Sequence, residues 1–155
     1  MSKSEKIGSV RVNNRRKQMT VKYASGKEVT LHYGQIGITQ NIVEVGVDTE
    51  TGGRSIMIRY EDGEVDFMPY DQPLAVAKDP EFLLQNDIEV MTARIRHELK
   101  TKGISVRYLA GRLGTSDGQM QRLLNPKILN KNLKQLYEIA GLLGLIFELR
   151  VKKVA

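Results

Sequence analysis

Seven carboxylates, Asp48, Glu50, Glu61, Asp62, Glu64, Asp66 and Asp71, crowd one stretch of the chain and are the first residues whose chemistry could matter. Paired carboxylates can ligate Mg²⁺ or Ca²⁺. Their spacing matches no calcium loop and they surround expected turns, so they read as a solvated acidic face. The two histidines, His32 and His97, stand 65 positions apart, with no metal-ligand spacing and no nucleophile pattern near either. There is no cysteine, which excludes a disulfide framework, a Cys-based zinc site and a thiol nucleophile. The expectation is a protein that is not an enzyme and uses neither a metal nor a cofactor.

A second run of polar residues follows a different logic. Ser105 is a good N-cap for a short helix, whose buried face is Val106, Leu109, Ala110 and Leu113. Gly114 follows, where a tight turn needs a left-handed residue. Ser116 caps the next helix, and Gln119 three positions on completes a capping box. Met120, Leu123 and Leu124 form that helix's buried face, and Asn125-Pro126 stops it. Two short helices joined by a glycine turn cross steeply, so the residue at their contact must be small; Ala110 stands there. This predicts a helix-turn-helix whose second helix turns its polar side outward, ready for a major groove.

The stretch Leu109-Ala110-x-x-Leu113-Gly114-Thr115-Ser116, followed by Gln119-Met120-Gln121-Arg122-Leu123-Leu124-Asn125-Pro126, resembles the XRE (Cro/C1-type) helix-turn-helix family, and most of all its small antitoxin-like regulators. The likeness continues from Asn132 to Gly144 and covers about residues 88–149, under half the chain. The resemblance implies a compact helical domain, dimeric, that binds double-stranded operator DNA and represses transcription. Carried over by position, it makes the helix from Ser116 the recognition helix, with Thr115 at its entrance and Ser116, Asp117, Gln119, Gln121 and Arg122 exposed. Gln pairs bidentately with adenine and Arg with guanine, each worth roughly 1–3 kcal/mol of discrimination. For Gln119 the cap and the base contact stay open as alternatives. Arg107, Arg112, Lys127, Lys131 and Lys134 would hold phosphates, positioning the domain without reading sequence. Two residues depart from the pattern: Asp117 repels phosphate, and Gly118 costs about 1 kcal/mol of helix propensity.

Charge divides the chain in three. Residues 1–30 hold 8 Lys/Arg against 2 Asp/Glu, residues 31–90 hold 3 against 12, and residues 91–155 hold 13 against 4. The net charges are +6, −9 and +9. A basic third seeks polyanions, nucleic acid first. No apolar run approaches the ~18 residues of a membrane span, and the N-terminus lacks a signal-peptide core, so the expected location is the cytoplasm, on the nucleoid.

The elements that must position these groups change style along the chain. Lys6–Val12, Gln18–Ala24, Glu28–Tyr33, Ile42–Val47, Ser55–Tyr60 and Glu64–Met68 alternate or are β-branched, and Gly turns separate them. They predict a small antiparallel sheet. Lys22-Tyr23-Ala24-Ser25-Gly26-Lys27-Glu28-Val29 echoes Arg59-Tyr60-Glu61-Asp62-Gly63-Glu64-Val65, which reads as two similar hairpins rather than a repeat. The basic cluster Arg11, Arg15, Arg16 and Lys17 reads as a minor-groove arm, a solubilising tail, or the first strand and turn. Pro69, Pro73 and Pro80 mark a change, after which Ile88, Met91, Ile95 and Leu99 form one helical stripe from about Asp87 to Lys102. The end, Phe147-Glu148-Leu149-Arg150-Val151-Lys152, alternates and predicts a strand with Phe147, Leu149 and Val151 inward, pairing with the sheet or with its copy in a second subunit.

The expected fold class is α+β: an antiparallel β domain over 1–70 with a basic N-terminal tail, a linker over 71–86, and an all-α helix-turn-helix domain over 87–155 ending in a strand. The function this predicts is sequence-specific DNA binding as a transcriptional regulator and repressor, through a homodimer. The alternatives are an antitoxin-like module whose acidic sheet domain binds a partner protein, and a metal-dependent nuclease using the acidic middle.

Overall fold

The computed structural model describes residues 5–154. Six strands and five helices follow one another: β1 (Ile7–Asn13), β2 (Gln18–Tyr23), β3 (Glu28–His32), β4 (Ile42–Val47), β5 (Ser55–Tyr60), β6 (Val65–Pro69), α1 (Asp71–Val76), α2 (Pro80–Lys102), α3 (Val106–Arg112), α4 (Asp117–Leu123) and α5 (Leu133–Leu142). The class is α+β. Every strand lies within one residue of its expected ends, because period-2 alternation is a local signal. The chain divides into two units between Leu83 and Leu84.

The first unit holds two sheets where one was expected. Each is a three-stranded antiparallel meander, β1-β2-β3 and β4-β5-β6. The two echoing segments are two similar hairpins, β2–β3 and β5–β6, and they share their register. Gln18 opposes His32 and Lys22 opposes Glu28; 37 positions later Ser55 opposes Pro69 and Arg59 opposes Val65. Both first strands carry a bulge after their first residue, between Ile7 and Ser9 and between Ile42 and Glu44. The hairpin bonds repeat too: Tyr23 N–H donates to Lys27 O at 2.8 Å and Tyr60 N–H to Glu64 O at 2.9 Å. At the meander's exit, Tyr33 N–H reaches Lys17 O at 2.8 Å and Tyr70 N–H reaches Arg54 O at 2.9 Å. The sequence echo is short because the inward-facing residues differ in type (Met19 and Val21 against Ile56 and Ile58) while the pairing stays the same. These residues, with Ile7, Tyr23, Leu31, Ile42, Met68 and Leu74, form one apolar core.

Residues 11–17 are the first strand and its turn, so the basic cluster is neither an arm nor a tail; residues 1–4 lie outside the described ones. The stretch 71–86 contains α1 and the first turns of α2. α2 starts at Pro80, earlier than the stripe indicated. Proline suits a first helical position, and Asp79 accepts the Phe82 N–H at 3.0 Å.

In the second unit Ile95 and Leu99 of α2, Leu109 and Ala110 of α3, Met120 and Leu123 of α4, and Leu136 and Ile139 of α5 enclose a second core. The expected terminal strand is not formed. From Leu145 to Val154 the described residues form no regular element, and Leu149 and Val151, expected inward, are 81% and 89% exposed. A lone strand needs a hydrogen-bonded neighbour. Phe147 is half-buried and meets Tyr137 edge to face, with ring centroids 5.2 Å apart.

Candidate nucleic-acid interface

The pair α3–α4 is built by local signals. Ser105 Oγ accepts the Tyr108 N–H at 3.0 Å, and Ser116 Oγ accepts the Gln119 N–H at 3.1 Å. Each cap satisfies a donor that the first helical turn leaves open. Between them Gly114 adopts φ +64°, and Thr115 N–H returns to Ala110 O at 2.9 Å, closing α3 in the manner of a Schellman turn. α3 and α4 pack on one another. Ala110, 1% exposed, and Met120, fully buried, lie in the core between them.

With Met120 and Leu123 inward, α4 leaves Asp117, Gln121 and Arg122 exposed, and Gln119 joins them: its backbone serves the cap while its side chain faces solvent. Asp117 and Gln121 stand one turn apart, on the same stripe of the helix. On α3, Arg107 and Arg112 are exposed, and among the described residues no carboxylate lies within ion-pair distance of Arg107, Arg112, Arg122 or Lys127. Lys127 follows an Asx turn in which Asn125 Oδ1 accepts its N–H at 2.9 Å. Lys134, on the first turn of α5, is exposed and lies 3.9 Å from Glu138. Thr115 is half-buried at the turn.

Lys131 is used differently from the expectation. Its ammonium donates to Arg122 O and Asn125 O, each at 2.6 Å. α2, α3 and α5 are each followed by a left-handed glycine, Gly103, Gly114 and Gly144, which lets the next N–H turn back to the helix end. α4 has no glycine there; Arg122 O and Asn125 O accept the Asn125 and Ile128 N–H, each at 3.2 Å, and Lys131 adds a second, charged donor to both. Burial and then the Arg96 charge hold the Lys131 ammonium below the ordinary lysine range. Nothing in the sequence pairs a lysine with carbonyls nine and six residues upstream. Tyr108, exposed beside Arg107, was also missed, although the buried face Val106, Leu109 and Ala110 already implies that it points outward.

The acidic residues of the middle third serve turns and pairs. Asp48 accepts from the Ser55 hydroxyl at 3.0 Å, Asp62 from Gln40 at 3.0 Å, and Glu44 pairs with Arg59 at 3.0 Å. Among the described residues no three His, Asp or Glu side chains gather as a metal site. No helix there is long and apolar enough to cross a membrane. In comparison with known proteins, no family model, no curated protein and no solved structure matches this chain.

Proposed function

We propose that the chain is a sequence-specific DNA-binding transcriptional regulator of the XRE helix-turn-helix type, acting as a repressor by occupying an operator. One observation supports this reading most. Two serine-capped helices joined at a left-handed glycine hold a polar α4 face to solvent, within a stretch of net charge +9. Such a helix fits the major groove and reads base edges through its first turns. Gln119, Gln121 and Arg122 take the reading role, with Thr115, Ser116 and Asp117 at the helix entrance. Arg107, Arg112, Lys127 and Lys134 take the phosphates. Lys131 supports them by holding the end of α4.

A homodimer would present two such helices to a palindromic site, about 34 Å apart. Selection of bound sequences from random duplex DNA at about 0.15 M salt tests the proposal. The expected result is an enriched motif, palindromic if the protein binds as a dimer. Recovery of no motif, with binding that depends on salt alone, overturns sequence-specific regulation.

A further inference from the structure

Strand β6 ends its sheet, and among the described residues no further strand is hydrogen-bonded beyond it. Glu64 O and Arg54 O bond across to β5 and to Tyr70 N–H, so the even-numbered residues of β6 point their backbone groups at β5. Antiparallel alternation then directs those of Val65 and Phe67 to the free side. There the Phe67 N–H is held by its neighbour's carboxylate, Asp66 Oδ1, at 2.8 Å. The side chains of Val65 and Phe67 are 44% and 56% exposed. The other meander provides an internal comparison. Its corresponding edge residues are Glu28, paired with Arg11, and Thr30, bonded to Thr20. One edge is polar and internally satisfied, and the other alternates acid with exposed hydrophobe: Glu64, Val65, Asp66, Phe67.

The C-terminal segment carries the complementary pattern. Leu149, Arg150, Val151 and Lys152 alternate hydrophobe with base, all are exposed, and no strand among the described residues takes them up. We propose that residues 149–152 of a second copy of this chain add to β6 as an antiparallel strand, reciprocally in a two-fold dimer. In that register Leu149 lies against Phe67 and Val151 against Val65 on one face. Arg150 meets Asp66 and Lys152 meets Glu64 on the other. The added strand supplies a backbone acceptor for the Phe67 N–H, which frees the Asp66 carboxylate for Arg150. Pro69, which has no N–H, limits the pairing to this short stretch. The inference is independent of the DNA reading.

Sedimentation of the full chain and of three full-length variants tests it. Wild type is expected to be a dimer at about 100 µM, a concentration that suits a small interface. Glu64→Lys/Asp66→Lys alone and Arg150→Glu/Lys152→Glu alone should each raise the dimer dissociation constant by on the order of ten- to a hundredfold. An equimolar mixture of the two restores every opposite-charge pair and should return the constant to within about threefold of wild type. Val151→Pro keeps the charges but removes a strand donor, and should weaken the dimer on the order of tenfold. A monomeric wild type, a charge variant that dimerises as well as wild type, a mixture that stays monomeric, or an unaffected Val151→Pro each overturns the proposal.

Discussion

Asn14 holds Ile42 from both sides: its Oδ1 accepts the Ile42 N–H and its Nδ2 donates to the Ile42 carbonyl, both at 2.9 Å. The Tyr33 hydroxyl donates to the same Oδ1 at 2.8 Å. The turn of the first meander thereby anchors the first strand of the second. The reverse anchor exists as well, since Ile7 N–H donates to Gly53 O, in the turn of the second meander, at 2.8 Å. The two sheets are joined by each gripping the other's first core isoleucine.

Replacing Asn14 with alanine orphans both backbone groups of Ile42, a 3% exposed residue, and the Tyr33 hydroxyl. We expect a loss of about 2–3 kcal/mol. Urea denaturation should show a lower midpoint, and a loss under about 0.5 kcal/mol would show that the grip contributes little.

The two hairpin turns should answer alike. Gly26 and Gly63 have φ +95° and +87°, and a methyl group at either would meet nothing within 4 Å. Gly26→Ala and Gly63→Ala therefore cost only backbone strain, about 1–2 kcal/mol each and nearly equal. Unequal losses by thermal or urea denaturation would show that the two turns are not equivalent in energy.

Acid should weaken the first unit through Asp79. Burial raises its pKa, but the Lys27 ammonium at 2.7 Å and the Phe82 N–H outweigh that and hold it below 3.8. A depressed folded pKa contributes stability above the ordinary value that is lost as pH falls through the folded one. Lys27 is the mirror case. Desolvation lowers its pKa, the Asp79 hydrogen bond and charge raise it further, and the net is above 10.5. Its contribution is present below that value and lost at higher pH. Denaturation midpoints measured across pH should be flatter below about pH 4 for Asp79→Asn than for wild type.

Three substitutions in the second unit separate reading, phosphate contact and support. Arg122→Ala should relax base preference by about 1–3 kcal/mol at one position. Lys127→Ala should weaken all duplexes alike and lower the salt slope by about 0.9. Lys131→Met removes the ammonium that braces Arg122 O and Asn125 O at the end of α4 and should reduce DNA affinity with the salt slope unchanged. Binding titrations over a salt series measure all three, and a slope change in Lys131→Met would return that lysine to the phosphate contacts.

Much of this architecture is legible in the chain. The alternation of Met19, Val21 and Tyr23, and of Ile56 and Ile58, is enough to place strands. Ser105, Gly114 and Ser116 place α3, its turn and α4, because capping acts over three or four residues. What was not legible depends on distant partners. Lys131 looks like any exposed lysine until the fold brings Arg122 O and Asn125 O within reach of its ammonium. Leu149 and Val151 alternate as a strand should, yet alternation states only that a strand can form.

Periodicity, caps and turn glycines set the local conformation of this protein, since each acts between residues a few positions apart. Only the closed fold decided that there are two matched meanders, that Asn14 reaches Ile42, and that β6 keeps a free edge. Those outcomes turn on which backbone group meets which donor across tens of residues, and nothing in the local pattern encodes that meeting.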